Sequence, residues 1–380
     1  MKIVIASDSF KGSLSSIEVA EAIKQGITEV FPQSEIISFP MADGGEGVLQ
    51  SLLFSTKANY SSVKVHGSLM ENLETSYGIS VNGKTAFIEM AKVCGLPLVP
   101  VEKRNPMLTT TFGLGEIIKN ALDRGCREFI IGIGGSATND AGLGMLQALG
   151  FRFQDKNNQT ISGTGGRIMQ CVTDIDESDV HPDLYKSSFT IACDVNNPFC
   201  GVNGAAYVFA AQKGADKQMI RKLDQGMWSL SRVIYDFTGE DIASFPGTGA
   251  AGGIGGAFVA FMKADLVSGI QLLMDKLDFE AKIKDADLII TGEGKADKQT
   301  LMGKVPFGIL QKAQTNQIPV ALIAGSIEDK KELLLAGFKE VCAVTPSVMP
   351  LEKAMTPEIA RNNIKRTVSD LCKSVFHNKN

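Results

Sequence analysis

Near the start of the chain, residues 3–6 form a short apolar run with no polar alternation, which predicts a strand buried on both faces. It delivers Ser7-Asp8-Ser9-Phe10-Lys11-Gly12-Ser13 at its C-terminal end, where open parallel sheets bind ligands. Ser15 with Glu18 three residues on predicts a capping box, and Val19, Ala22, Ile23, Ile27 and Val30 then keep helical spacing up to Pro32. A second strand, residues 35–39, ends in Pro40-Met41-Ala42-Asp43-Gly44-Gly45-Glu46-Gly47, after which Val48, Leu49, Leu52 and Leu53 resume a helical stripe. From about Tyr60 the pattern changes to short extended runs at 62–67, 75–81 and 84–90. Residues 78–85 match the P-loop pattern G-x-x-x-x-G-K-[ST] letter for letter. Asn82-Gly83 between alternating apolar residues predicts instead the two-residue turn of a hairpin, with Lys84 at the surface.

Thr109-Thr110-Thr111 precedes a predicted helix at 112–122, and a β-branched strand at 129–133 opens into Gly134-Gly135-Ser136-Ala137-Thr138-Asn139-Asp140 before a helix at about 141–149. Residues 189–193 predict a further strand ending in Asp194-Val195-Asn196-Asn197-Pro198. The glycine-rich run 247–256 fits close helix packing and ligand contact equally, since glycine serves both. Strands at 287–290, 320–323 and 340–344 each lead into a polar loop, the first being Thr291-Gly292-Glu293-Gly294-Lys295-Ala296-Asp297, and a terminal helix covers 357–376. Both chain ends thus repeat strand then loop. We read residues 1–63 and 282–380 as one discontinuous α/β domain and 64–281 as an inserted one, with a cleft between them; residues 105–150 fit either.

Composition narrows the function. The 380 residues allow two to three domains, and 44% hydrophobic with 21% charged residues is ordinary for a soluble globular protein. A formal net charge of −4 gives no reason to expect nucleic acid or an anionic membrane as partner. Seven scattered cysteines without a C-x-x-C pair indicate neither a disulfide framework nor structural zinc, and point to a reducing cytoplasm. The apolar N-terminal run is too short for a signal segment and no stretch is long enough to span a bilayer, so the expectation is a soluble, unprocessed protein.

The polar residues predicted at strand ends are Asp8, Lys11, Asp43, Glu46, Asn139, Asp140, Asp194, Asn196, Glu293 and Asp297. The three histidines lie outside these loops, which argues against a Ser-His-Asp hydrolase or a histidine-ligated metal. Carboxylates, amides and lysines among glycines suit Mg²⁺ and phosphate. Any one of the aspartates, alone, is as well explained as a helix cap; four such loops together favour a site. Two rival readings stand beside this one. Gly132, Gly134 and Ala137 fit G-x-G-x-x-[GA] with Asp155 near the place of a ribose-binding acid, as in an NAD(P)-dependent oxidoreductase. A non-catalytic small-molecule binding protein would explain the cleft but not so many carboxylates.

Five motifs in order, Asp8-Ser9-Phe10-Lys11-Gly12-Ser13-Leu14, Ala42-Asp43-Gly44-Gly45-Glu46-Gly47, the run 132–142, Cys193-Asp194-Val195-Asn196-Asn197-Pro198, and Thr291-Gly292-Glu293-Gly294 with Asp297, Gln299 and Thr300, resemble the bacterial glycerate kinase family over essentially the whole chain. Ala141, where the family often has glycine, and Asn197 before Pro198 are small departures. The resemblance implies ATP-dependent phosphorylation of D-glycerate to phosphoglycerate, in a family that occurs in glyoxylate and glucarate utilisation. It also implies two unlike α/β domains, one flavodoxin-like and one resembling a restriction-endonuclease core. Chemistry alone then assigns roles. Asp194, Lys11 and Asp8 are the catalytic candidates, and Gly134, Gly135, Ser136, Thr138, Asn139, Asp140, Asn196 and Glu293 the phosphate- and substrate-binding ones. Asp43 and Asp297 are the Mg²⁺ ligands, with Glu293 as an alternative.

Overall fold

The computed structural model describes residues 1–42 and 47–377. The run Asp43-Gly44-Gly45-Glu46, which carries one of the two metal assignments, lies outside the described residues. Chain contacts divide the protein into two compact units: Met1–Asp43, Gln50–Ser55 and Gly269–Asn380 form the first, and Gly44–Leu49 and Thr56–Ser268 the second. In chain order the strands are β1 (Lys2–Ser7), β2 (Glu35–Pro40), β3 (Asn59–His66), β4 (Asn72–Ile79), β5 (Thr85–Glu89), β6 (Glu128–Gly132), β7 (Arg152–Gln154), β8 (Asp174–Asp176), β9 (Ser188–Ala192), β10 (Asp265–Val267), β11 (Leu288–Ala296), β12 (Val320–Ile327) and β13 (Glu340–Ala343).

The first unit is a five-stranded sheet in the order β13-β12-β11-β1-β2, parallel throughout. Counting only this unit's strands from the β2 edge gives 2-1-3-4-5, the flavodoxin-like order. Ile3, Val4, Ile5 and Ala6 of the central β1 are wholly buried, which is why that run carries no polar alternation. The helix Ser16–Val30 crosses from β1 to β2, and its predicted capping box is present: Ser15 Oγ accepts from the Glu18 backbone and Glu18 accepts from the Ser15 backbone. The terminal helix Pro357–His377 packs beside it over the same core. β11 runs farther than the apolar pattern predicts, because β12 continues to pair with it as far as Ala296, opposite Ile327. Glu293 is therefore a strand residue, not a loop residue.

The second unit is built on a mixed six-stranded sheet, β10-β9-β6-β5-β4-β3, in which β3, β4 and β5 form an antiparallel meander and β5, β6, β9 and β10 run parallel. The P-loop lookalike is the β4–β5 hairpin, where Ser80 N–H donates to the Thr85 carbonyl, Gly83 has φ +71° and Lys84 is exposed. Sequence reading missed the helix Lys217–Thr238, which is capped by Asp216 through the Gln218 and Met219 amides at 2.7 and 2.8 Å. It buries Leu223, Met227, Leu230 and Ile234 in the core. The glycine run 247–256 serves close packing: Gly252, at φ +77°, lies so near the Thr138 carbonyl that a Cβ there would collide with it. No helix among the described residues is long and apolar enough to cross a membrane.

Candidate functional site

In the first unit the C-terminal ends of β1, β11, β12 and β13 open on a cavity of about 370 Å³. This is the switch point of the sheet, since the chain leaves β1 to one side for β2 and returns on the other with β11. Asp8, Lys11, Glu293 and Lys304 line its polar side, and Val344, Leu351, Ala354 and Met355 its apolar wall. Asp8 is buried, with Oδ1 accepting from the Ser9 amide at 2.6 Å, whereas Lys11 is exposed. Glu293 is 6% exposed; its Oε1 accepts from the Thr300 hydroxyl at 2.5 Å and its Oε2 lies 3.5 Å from Lys304 Nζ. Burial pushes the Glu293 carboxyl above its ordinary range, with the Thr300 bond and the Lys304 charge opposing the shift. Asp297 caps the short turn Lys298–Met302, accepting from the Gln299 amide at 2.9 Å, and pairs with Lys295 at 3.6 Å.

In the second unit Gly132 of β6 pairs with Ala192 of β9, so the loops that follow leave neighbouring strands at the same level. Gly134 is half-buried and Gly135 exposed, with φ +70° at Gly135. Ser136, Thr138, Asn139 and Asp140 are buried, while Asp194 and Asn196 are exposed. The Asp140 carboxylate is taken up by the protein itself. Its Oδ2 accepts from the Thr111 amide (2.7 Å), the Thr111 hydroxyl (2.9 Å), the Thr110 hydroxyl (3.2 Å) and the Gly144 amide (3.3 Å). Its Oδ1 accepts from the Gly142 amide at 3.2 Å. Burial pushes its pKa up, against the pull of these donors. The Thr111 hydroxyl also accepts from the Met145 amide at 3.0 Å, so the carboxylate ties the threonine turn to the helix Leu143–Ala148. Ala141, the departure from glycine, sits in left-handed backbone at φ +54°, where glycine is strain-free.

Lys213, which sequence reading missed, stands behind this turn. It is 2% exposed, and its Nζ donates to Ser136 Oγ at 2.8 Å and to the Thr138 carbonyl at 2.6 Å. Burial pulls it down to about 7, with the Asp140 charge opposing. Its segment, Ala210-Ala211-Gln212-Lys213-Gly214-Ala215, offers only a lone lysine among small residues as a signal. Thr138 Oγ1 and Asn139 Oδ1 are buried without hydrogen-bond partners.

The dinucleotide reading lacks its context. That motif sets a helix N-terminus directly on the glycine turn, whereas here the helix begins at Leu143, six residues of which make up its whole length. Asp155 instead closes a tight turn, accepting from the Asn157 and Gln159 amides at 2.8 and 3.0 Å. Among the described residues no group of three or more His, Cys, Asp or Glu could hold a metal ion by itself.

Comparison with known proteins agrees over the full length. The model of the Glycerate kinase family matches residues 3–376. A glycerate kinase of Bacillus cereus is 44% identical over 98% of this chain and 97% of the relative, and a glycerate 2-kinase of Escherichia coli is 46% identical over 93% of each. A crystal structure described as glycerate kinase 2 from Salmonella typhimurium superposes with a TM-score of 0.90 at 42% identity, covering 100% of this chain and 99% of the other.

Proposed function

The chain belongs to the glycerate kinase family, and on that premise we propose that it transfers the γ-phosphoryl group of ATP to a hydroxyl of D-glycerate, giving phosphoglycerate and ADP. The observation that carries this reading is the match, over nearly the whole chain, to relatives named for that activity. The acceptor we infer is the 2-hydroxyl, since a relative 46% identical is named glycerate 2-kinase. The reaction would serve the catabolism of glyoxylate- or glucarate-derived acids in the reducing cytoplasm.

The cavity of the first unit suits ATP. Its volume of about 370 Å³ falls in the range of small-molecule pockets, its apolar wall offers a surface to the purine, and Lys11 and Lys304 offer charge to the phosphates. Asp8 and Glu293 border the same space, which fits Mg²⁺: that ion takes one or two carboxylates and fills its remaining positions with water and phosphate oxygens. Bound there, Mg²⁺ would neutralise phosphate charge. Asp43 is a further candidate ligand, and Asp297 steadies the adjoining turn.

Glycerate we place at the loops after β6 and β9. The amides of Gly134 and Gly135 and the Ser136 hydroxyl would hold its carboxylate, Asn196 would orient it, and Thr138, Asn139 and Asp140 would shape the turn beneath. Asp194, exposed at the end of β9, would accept the proton of the attacking hydroxyl as the oxygen–phosphorus bond forms and ADP departs. Incubation with ATP, Mg²⁺ and D-glycerate should yield ADP and 2-phosphoglycerate by phosphorus NMR, and chelating the metal should stop it. No ADP and no phosphoglycerate under these conditions would overturn the proposal.

A further inference from the structure

A buried ammonium ordinarily has a carboxylate beside it, because an unpaired charge out of water is costly. Lys213 has none: both partners of its Nζ, Ser136 Oγ and the Thr138 carbonyl, are neutral, and among the described residues no carboxylate lies within ion-pair distance. Asp140 reaches it only through its longer-range field, its own oxygens being filled by five donors. An ammonium donates and cannot accept, so when Lys213 is charged Ser136 Oγ must accept from it. The Ser136 hydroxyl proton is then turned to some other acceptor. Beside it, among the described residues, the amides of Gly134, Gly135 and Ser136 donate to no group of the protein, and the buried Thr138 hydroxyl has no partner. Successive unpaired amides next to a buried cation are the features of an anion-binding concavity.

We propose that Lys213 and Ser136 form the core of an anion receptor in the second unit, with the ligand's negative group serving as the lysine's counter-ion through the Ser136 hydroxyl and the Gly134–Ser136 amides. The proposal deepens the kinase reading and rests on it for the ligand, the carboxylate of D-glycerate. A nucleotide phosphate shares the same chemistry, and the test separates the two.

Binding should be linked to a proton. Burial, which pulls the unliganded lysine down to about 7, leaves it mostly neutral at pH 8, and an anion beside it favours the charged form. Of the other groups around the turn, Asp140 favours the charge, and the Cys94 thiol is held neutral by burial. The Arg104 guanidinium is occupied by the Leu96 and Val99 carbonyls. Ligand uptake above pH 7 therefore draws in a proton, and affinity falls as pH rises further.

Calorimetry at pH 8 in two buffers of unlike ionisation enthalpy measures that uptake. The arms are D-glycerate added to protein saturated with Mg²⁺ and a non-hydrolysable ATP analogue, the analogue alone, and inorganic phosphate alone. With D-glycerate we expect uptake on the order of one proton, lost in Lys213→Met, and an affinity lowered roughly ten- to a hundredfold in Ser136→Ala, which keeps the lysine and the fold. Uptake with the analogue alone assigns the receptor to nucleotide phosphate and overturns the glycerate assignment. Turnover to phosphoglycerate without proton uptake in any arm, or with full glycerate affinity in Ser136→Ala, overturns the receptor while leaving the kinase intact. Absence of turnover with uptake from inorganic phosphate does the reverse.

Discussion

Asp140→Asn separates a carboxylate that shapes a loop from one that meets a ligand. The replacement leaves one oxygen and sets an NH₂ group where the other stood. Placed to keep the Thr110, Thr111 and Gly144 donors satisfied, its oxygen occupies the Oδ2 position, and its NH₂ then faces the Gly142 amide that formerly donated 3.2 Å to Oδ1. The Gly142 amide is orphaned and the NH₂ group brings donors of its own into the buried turn, so the cost is at least about 1–3 kcal/mol. For a unit of this size each kcal/mol moves the melting temperature by roughly 2–4 °C, so a fall of roughly 2–12 °C or more is expected. Asp140→Ala orphans the amides of Thr111, Gly142 and Gly144 together, roughly 3–9 kcal/mol on the same scale, comparable with the whole stability of a typical domain. Thermal melting and steady-state kinetics on the folded fraction form the assay. We expect Asp140→Asn to melt early with KM for both substrates within a few-fold of the parent. A variant that melts with the parent while KM for D-glycerate or ATP rises tenfold or more would refute the loop-shaping argument.

Glu293→Gln keeps the acceptor for Thr300 but removes the charge facing Lys304, so turnover should drop by roughly 10²-fold while the melting temperature stays within a few degrees; unchanged turnover at saturating Mg²⁺ would strike Glu293 from the site. Ala141→Gly relieves left-handed strain of about 1–2 kcal/mol but gives up a buried methyl worth about 0.8 and roughly 0.5–1 of chain entropy, so the terms nearly cancel. A melting shift beyond a few degrees either way contradicts that balance. Lys213 gives a pH signature in the ligand-free protein: its pKa falls from 10.5 to about 7 on folding, so between those values the unfolded chain holds a proton the folded one has released. Its contribution to stability is therefore absent below about pH 7 and grows as pH rises toward 10.5, and comparing denaturation midpoints of the parent and Lys213→Met at pH 7 and pH 9 should show the parent gaining more.

Continuous apolar runs made β1 and β6 legible, because strands buried on both faces leave no alternation to misread. The β4–β5 hairpin was legible through its Asn-Gly signal, which outweighed a formal P-loop match, although Ser80 pairs with Thr85 and the loop spans residues 81–84 instead of the two-residue turn that the dipeptide predicts. β11 was read short because Gly292 and Gly294 look like loop residues, yet pairing with β12 holds them extended. The helix Lys217–Thr238 escaped although Ile220, Leu223, Met227, Leu230 and Ile234 carry its stripe, since charged residues fill the intervals between them. At the site, residue type and strand-end position located the loops but not the partners of each carboxylate. Asp297 and Asp140 look alike in sequence to Asp8 and Asp194, and only the amides around them identify a cap and a loop tie. Lys213 was beyond reach because Ser136, which gives it meaning, lies 77 residues away.

The pairing of β1 with β11 bears on how the protein is made. Lys2 and Asp287, hydrogen-bonded at the edge of that pairing, stand 285 residues apart, so the central strand of the first sheet emerges from the ribosome long before its neighbour exists. The second unit, whose contacts lie within Thr56–Ser268 apart from a short piece, can fold during synthesis. Meanwhile the apolar residues 3–6 of β1 wait with only β2 beside them. Slowing translation within residues 269–320 should lengthen that exposure and raise the share of newly made chain that chaperones retain or that aggregates, with no effect on the finished enzyme.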